Sequence, residues 1–283
     1  MVARDDGADL TRPARGLLRG PHAPADARDV FLRDFALAAC DRLTIREAGE
    51  DAAPSDGFDV VFGYGSAVDA PGRRLAARLG ARFVPVTAPE RLEARAAQAP
   101  SGSPGPRGTL PRICLFGPES TGKSTLGRAL AERYDTVMAP EYGRLYTETF
   151  GQDCGAEDLM RIVLGHLAGV HAARRWADRV LIEDTDPVLT ALWSDLLIGA
   201  RAAWFDQFTD AADLYLLTGI DVPFEADEVR YFPADAARRD FHDRCRAELA
   251  RRGLPFVEVT GDPATRLATA VRAIGERFPD LVG

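Results

Sequence analysis

The chain has 283 residues, 46% of them hydrophobic, and a formal net charge of -8 at pH 7. That length bounds two modest domains or one large one with ample material for a core, and the acidic balance argues against nucleic acid or an anionic membrane as the main partner. Met1–Asp6 lacks the apolar stretch of a signal peptide and no run approaches the roughly 18 apolar residues of a membrane span, so the expectation is a cytoplasmic protein.

Four cysteines, Cys40, Cys114, Cys154 and Cys245, stand far apart with no C-x-x-C pair. That spacing argues against a zinc site or a disulfide framework, and Cys114 and Cys245 fit buried apolar positions. From about Leu92 to Pro111 the chain is rich in Ala, Pro, Gly and Ser. Prolines and glycines there predict neither helix nor strand, which places a linker at 92–111 between a domain at 1–91 and one at 112–283.

Beyond the linker, strand and helix alternate. Ile113–Phe116 reads as a short buried strand, followed by a glycine-rich loop and a helix to about Tyr134. Thr136–Ala139 reads as a second strand stopped by Pro140, and Ala156–Trp176 as a helix with Leu159, Val163, Leu167 and Val170 on one face. Val180–Ile182 and Leu214–Leu217 are predicted strands, and a helix carrying Phe241, Cys245 and Leu249 ends at Gly253, a good C-cap. Phe256–Val259 makes a fifth strand, and Leu267, Val271, Ile274 and Phe278 mark a last amphipathic helix. Continuous apolar strands alternating with such helices predict an α/β fold of the P-loop kinase kind, a parallel five-stranded sheet covered by helices on both faces.

The glycine-rich loop is Gly117-Pro118-Glu119-Ser120-Thr121-Gly122-Lys123-Ser124, followed by Thr125, and Lys123 is the only lysine in the chain. The pattern G-x-x-x-x-G-K-[ST] between a strand and a helix turns backbone N–H groups toward phosphates. Its lysine bridges the β- and γ-phosphates and its Ser or Thr hydroxyl ligates Mg2+. ATP and Mg2+ are therefore the expected cofactors, with Ser124 on the metal. Two acidic clusters follow predicted strands: Glu141 in Pro140–Arg144, and Asp184 and Asp186 in Glu183–Pro187. Carboxylates there suit a general base, a metal ligand or a ribose contact, and equally a helix cap; Asp186, in Asp-Pro, is the strongest capping candidate. After the fourth strand comes an arginine-bearing stretch with Arg230, Arg238 and Arg239. Such a stretch can close over the phosphates, and Arg230 is the preferred phosphate-neutralising residue, because Arg238 and Arg239 beside Asp235 and Asp240 suit a solvated helix face equally well. Gly261 would let backbone approach the adenine or serve as a turn glycine, and Tyr142, Tyr146 or Trp193 would stack on a flat ring or pack.

In order and spacing, Gly117–Leu126, Pro140-Glu141-Tyr142-Gly143-Arg144, Glu183–Pro187 and Leu217–Phe224 resemble the ribosylnicotinamide kinase domain of NadR-type proteins. The resemblance spans residues 110 to 283 and implies transfer of the ATP γ-phosphate to the 5′-hydroxyl of nicotinamide riboside, giving nicotinamide mononucleotide for NAD salvage. It implies Glu141 as base with Asp184 close behind, Asp184 also on metal or ribose, Arg144 and Arg230 on phosphate charge, and Tyr142 or Trp193 facing the pyridinium. Glu141, Tyr142, Arg144, Asp184, Asp186 and Trp193 thus form the expected substrate site.

NadR-type proteins carry an adenylyltransferase domain in front. Here Pro24–Asp29, followed by Phe31-Leu32 and Ala36–Ile45, resembles its first motif, with Asp26, Arg28 and Asp29 where the family has H-x-G-H; carboxylates there repel a triphosphate. Phe58–Phe62 and Leu75–Ala81 resemble a later strand and helix, the stretch between is short, and the S-G-T-x-[IV]-R motif is absent. The N-terminal part reads as a truncated, Rossmann-like remnant without that activity. The rivals are a kinase for another nucleoside or small metabolite, and a non-catalytic ATP-binding regulator. A homo-oligomer stays possible.

Overall fold

The computed structural model describes residues 13–19, 26–46, 52–65, 71–98, 110–222 and 235–281. Arg230 and the Pro223–Phe224 end of the fourth motif lie outside them. The chain divides into two compact units, and the division does not follow sequence continuity: residues 142–176 belong with 1–106, and 107–141 with 177–283.

The second unit holds β5 (Arg112–Phe116), α4 (Lys123–Arg133), β6 (Met138–Ala139), β7 (Leu181–Asp184), α7 (Pro187–Leu197), α8 (Ala203–Gln207), β8 (Leu214–Thr218), α9 (Asp235–Arg251), β9 (Phe256–Val259) and α10 (Pro263–Arg277). Its five strands are all parallel in the order β6-β7-β5-β8-β9. The side-chain period of two splits each strand between two cores. Ile113, Leu115, Ile182 and Leu216 face α4 and α10 with Leu130, Ala270 and Ile274. Cys114, Phe116, Tyr215 and Leu217 face α7 and α9 with Leu192, Phe241, Cys245 and Leu249. The predicted five-stranded sheet with helices on both faces is therefore the observed one, and Cys114 and Cys245 are buried as expected. The chain leaves β5 toward β6 and β7 on one side and later adds β8 and β9 on the other. The carboxyl end of β5 is thus the switch point of the sheet, where open α/β folds place ligands.

The first unit holds β1 (Arg15–Arg19), α1 (Ala27–Ala39), β2 (Arg42–Arg46), β3 (Val60–Tyr64), α2 (Pro71–Leu79), β4 (Arg82–Val86) and α3 (Leu92–Gln98), joined by α5 (Tyr142–Phe150) and α6 (Ala156–Arg174). Four parallel strands lie in the order β2-β1-β3-β4. α6 runs along α1, with the Phe35 and Tyr142 rings stacked 6.0 Å apart and Arg175 on the Asp34 carboxylate at 2.5 and 2.6 Å.

Two local expectations need correction. Leu92–Gln98 is helical, because Leu-Glu-Ala-Arg-Ala-Ala-Gln contains only good helix formers and the Pro/Gly run begins after it. The second strand is only Met138–Ala139, since Pro140 ends it and Thr136 uses its hydroxyl on the Val180 carbonyl at 2.6 Å.

Candidate active site

β5 delivers the chain into the phosphate loop with Gly117 at φ 131°, Ser120 at φ 55° and Gly122 at φ 80°. A Cβ at Gly117 would meet Thr218 Oγ1 at 2.9 Å, so the loop lies against the end of β8 only because that residue is glycine. Thr121 Oγ1 donates to the Pro118 carbonyl at 2.8 Å and sits 2.6 Å from Thr218 Oγ1. Lys123 begins α4; its ammonium donates to the carbonyls of Gly117 at 3.1 Å and Pro118 at 2.7 Å and is buried. Glu119 is half-buried and Thr125 exposed.

Ser124 donates through Oγ to Asp184 Oδ2 at 2.6 Å, joining the first turn of α4 to the end of β7. Asp184 is 2% exposed and pairs in register with Leu115, two residues before the loop. A hydroxyl and a carboxylate so placed form an oxygen donor set that suits Mg2+, a hard cation. Thr185 follows at φ 70°, a left-handed conformation costly for a β-branched residue, and its N–H is fixed to the Leu115 carbonyl at 3.0 Å. This reversal sends Asp184 and Asp186 to different tasks.

Asp186 is the N-cap of α7, accepting from the Val188 N–H at 3.0 Å and the Leu189 N–H at 3.4 Å, with Pro187 at the first helical position. Its other oxygen accepts from the Tyr215 phenol, whose pKa is pushed far up by burial and then by the Asp186 charge. The expectation of a substrate contact at Asp186 is therefore corrected to a buried cap, 1% exposed. Glu183 is likewise structural, 0% exposed and paired with Arg112, whose Nη2 lies 2.9 Å from Oε2.

Glu141 is half-buried, two residues past β6 and on the strand next to β7. Glu141, Asp184 and the phosphate loop therefore lie at the carboxyl ends of three neighbouring parallel strands, β6, β7 and β5. The two residues after Glu141's strand that were expected on substrate behave differently. Tyr142 is 5% exposed in the core of the first unit, its phenol donating to the Pro85 carbonyl at 3.0 Å. Arg144 is exposed on α5 and pairs with Glu148 one turn on, at 2.9 Å. Packing and helix-surface pairing account for both. Trp193 is half-buried on α7, its ring 4.7 Å from that of Phe241.

Two arginines hold the loop, one of them, Arg266, not singled out in the sequence. Arg238 is 1% exposed and donates through Nη2 to the carbonyls of Ser120 and Val222, both at 3.1 Å. Of the two alternatives open for it, the solvated helix face is excluded by this burial. The signal was present: residue 238 lies three before Phe241 on the helix face that continues through Cys245 and Leu249, the buried face of α9. Arg266, 4% exposed, shares the stripe of Ala270, Ala273 and Ile274 on α10. It donates to the carbonyls of Thr121 at 2.5 Å, Gly219 at 3.1 Å and Gly261 at 2.9 Å, and pairs with Asp221. Gly261, at φ 94°, donates its N–H to Asp221 at 2.5 Å. Burial works to raise the Asp221 carboxyl, but the Gly261 amide and the Arg266 guanidinium outweigh it and hold it below the usual value. Asp221 of the fourth motif and Gly261 thus brace the loop through Arg266, and Gly261 is a turn glycine.

A strand, a phosphate-binding loop, a helix and a buried hydroxyl–carboxylate pair at a sheet switch point define a P-loop nucleotide-binding domain. Residues 112–266, more than half of the chain, match the family model described as an AAA domain, and the chain belongs to that family. The trifunctional NAD biosynthesis/regulator proteins NadR of Salmonella typhimurium (strain LT2) and Escherichia coli (strain K12) are each 29% identical to it over 153 residues, 52% of this chain and 37% of theirs. The matched stretch thus spans little more than a third of those relatives. Two crystal structures share the fold. A NadR protein in complex with NAD and AMP-PNP has a TM-score of 0.50 at 18% identity, and a NadR protein in complex with NR has 0.50 at 17%. Each alignment covers 94% of this chain and 96% of the other. The likeness to NadR-type proteins read from the motifs is found again by sequence over about half of the chain and in the fold by structure.

Proposed function

We propose that the protein is an ATP-dependent kinase that phosphorylates the 5′-hydroxyl of nicotinamide riboside, yielding nicotinamide mononucleotide for NAD biosynthesis. The observation that carries this reading is the Ser124–Asp184 pair at 2.6 Å beside the Lys123 loop, in a chain whose relatives are NAD biosynthesis proteins. The loop amides of residues 117–125 and the Lys123 ammonium bind the ATP phosphates, Lys123 leaving its two carbonyl partners to do so. Ser124 and Asp184 would hold Mg2+, which neutralises phosphate charge when bound.

The riboside hydroxyl attacks the γ-phosphorus, the bond to the β,γ-bridging oxygen breaks, and ADP leaves. With Asp184 committed to Ser124, Glu141 is the base that takes the hydroxyl proton. Arg238, already on the loop, is the better candidate than Arg230 for offsetting charge that develops on the phosphoryl group. Trp193 remains the candidate for stacking on the pyridinium.

Residues 1–91 are proposed as an adenylyltransferase-like domain without that activity. Asp26 supports this: it caps α1 by accepting the Asp29 N–H at 2.9 Å, so negative charge already covers a helix N-terminus that would otherwise favour phosphate. The test is ADP release by the purified protein with Mg-ATP, with and without nicotinamide riboside, and the product identified by mass. Equal amounts of riboside-dependent ADP and mononucleotide are expected, with a loss of about 100-fold or more in Lys123→Ala. ATP binding without riboside-dependent turnover would reject the kinase, and NAD formed from mononucleotide and ATP would reject the inactive N-terminal domain.

A further inference from the structure

Arginine keeps its charge at any physiological pH, so a guanidinium withdrawn from water needs an anion beside it. Four buried or half-buried arginines of this fold follow that rule, Arg112 lying on Glu183, Arg175 on Asp34, Arg201 on Asp195 and Glu248, and Arg266 on Asp221, while Arg238 is met by the Ser120 and Val222 carbonyls instead. Arg82, at the start of β4, does not. It is half-buried, and its guanidinium has no hydrogen bond or ion pair to any described residue. Burial pulls its pKa down, and so does its like-charged neighbour Arg161.

The groups around it are committed elsewhere. Glu157 and Asp158 pair with Arg161, the Tyr146 phenol donates to Asp158 at 2.6 Å, and the Tyr142 phenol donates to the Pro85 carbonyl. Arg161 itself keeps a buried Nε without a hydrogen-bond partner. Arg82, Phe83, Tyr142, Tyr146, Arg161 and Gly165 line one cleft of about 30 Å³, all within the first unit. A cavity of that size takes two or three water-sized atoms, enough for the head of an oxyanion and too little for a nucleotide.

We propose that this cleft binds a small oxyanion, a phosphate or carboxylate group, with Arg82 as first donor and Arg161 as second. The Arg82 guanidinium and the Nε–H of Arg161 offer it charge-assisted bonds, beside the Phe83, Tyr142 and Tyr146 rings that line the cleft. The site is separate from the phosphate loop in residues and in reading, so the kinase assay and the test below fail independently.

Inorganic phosphate and, in a second arm, acetate are titrated by calorimetry into the full chain carrying Lys123→Ala, which silences the phosphate loop. At least one anion is expected to bind and to raise the melting temperature. Arg82→Gln and Arg161→Gln are each expected to weaken it about tenfold or more. The arm that responds identifies the ligand as phosphate or carboxylate. Without anion, Arg82→Gln should melt no lower than its parent, because it removes an unmatched charge. The proposal is overturned if neither anion binds, if affinity is unchanged in both variants, or if Arg82→Gln melts lower in anion-free buffer. Should Arg82→Gln fail to fold, unchanged affinity in Arg161→Gln, which alters a helix-surface residue, overturns it.

Discussion

Asp184 and Asp186 stand two residues apart, look alike in sequence, and separate only because Thr185 reverses the backbone between them. Replacing Asp186 by Ala removes two N-cap bonds and leaves the Tyr215 phenol buried without its acceptor. It should cost about 2–4 kcal/mol of stability, read as a shift in the urea midpoint. Turnover at a temperature where the variant is folded should stay within a few-fold of the parent. Asp184→Asn should do the reverse, with small loss of stability and a large loss of activity and of its Mg2+ dependence. If Asp186→Ala abolished turnover while remaining folded, the residue would belong to the site after all. The same distinction explains what was legible at this scale. The phosphate loop declares itself by spacing and by the sole lysine, because backbone geometry demands glycine and an ammonium at fixed places. Asp-Pro marked Asp186 as the cap, but the left-handed Thr185 that turns Asp184 the other way carries no mark in the sequence. Tyr142 and Arg144 belong to a motif, yet one is core and the other pairs along a helix.

At the scale of elements, β5, β6, β7 and β8 were readable because each is buried along its length, with apolar runs such as Ile113–Phe116 and Leu214–Leu217, whereas β9, at the sheet edge, is only partly buried and carries the exposed Glu258. α7 was legible only at its start: Asp186, the strongest capping candidate, is its N-cap and Pro187 its first helical residue, but no helix was predicted to follow them. Ion pairs between elements were beyond reach. Glu248 on α9 is 5% exposed and accepts from Arg251 at 2.7 Å and Arg252 at 2.7 Å on its own helix chain, and from Arg201 before α8 at 2.8 Å. Burial raises its carboxyl, but those three guanidinium groups outweigh it and bring it down to about 2. A depressed carboxylate stabilises the fold above its unfolded value near 4.5 and loses that contribution as pH falls through about 2. The expected outcome is a stability loss on the order of 2 kcal/mol between pH 5 and pH 2, present in the wild type and largely absent in Glu248→Gln. Equal pH slopes in the two proteins would show that Glu248 does not govern acid sensitivity.

For the whole molecule, sequence order suggests that the chain can be cut near residue 106, leaving the P-loop part intact. The compact units argue otherwise, because the chain passes from 141 back into the first unit and returns to the second at 177. Residues 142–176 close against elements from the N-terminal stretch: Tyr142 bonds Pro85 and stacks on Phe35, Arg175 pairs with Asp34, and Arg73 donates to the Thr149 carbonyl at 2.8 Å. A fragment 107–283 would therefore keep α5 and α6 without those partners. Uncovering one large side chain such as Tyr142 forfeits about 1.5–3 kcal/mol of apolar burial, and the same cut breaks the Asp34–Arg175 pair. The exposed face should also promote association. The fragment is expected to be less soluble than the full chain and to be cleaved by proteases first within 142–176, while the strands of the second unit stay protected. A monomeric, soluble fragment with native protection over 142–176 would mean that these helices are held by the second unit alone, and that the N-terminal sheet is a dispensable attachment.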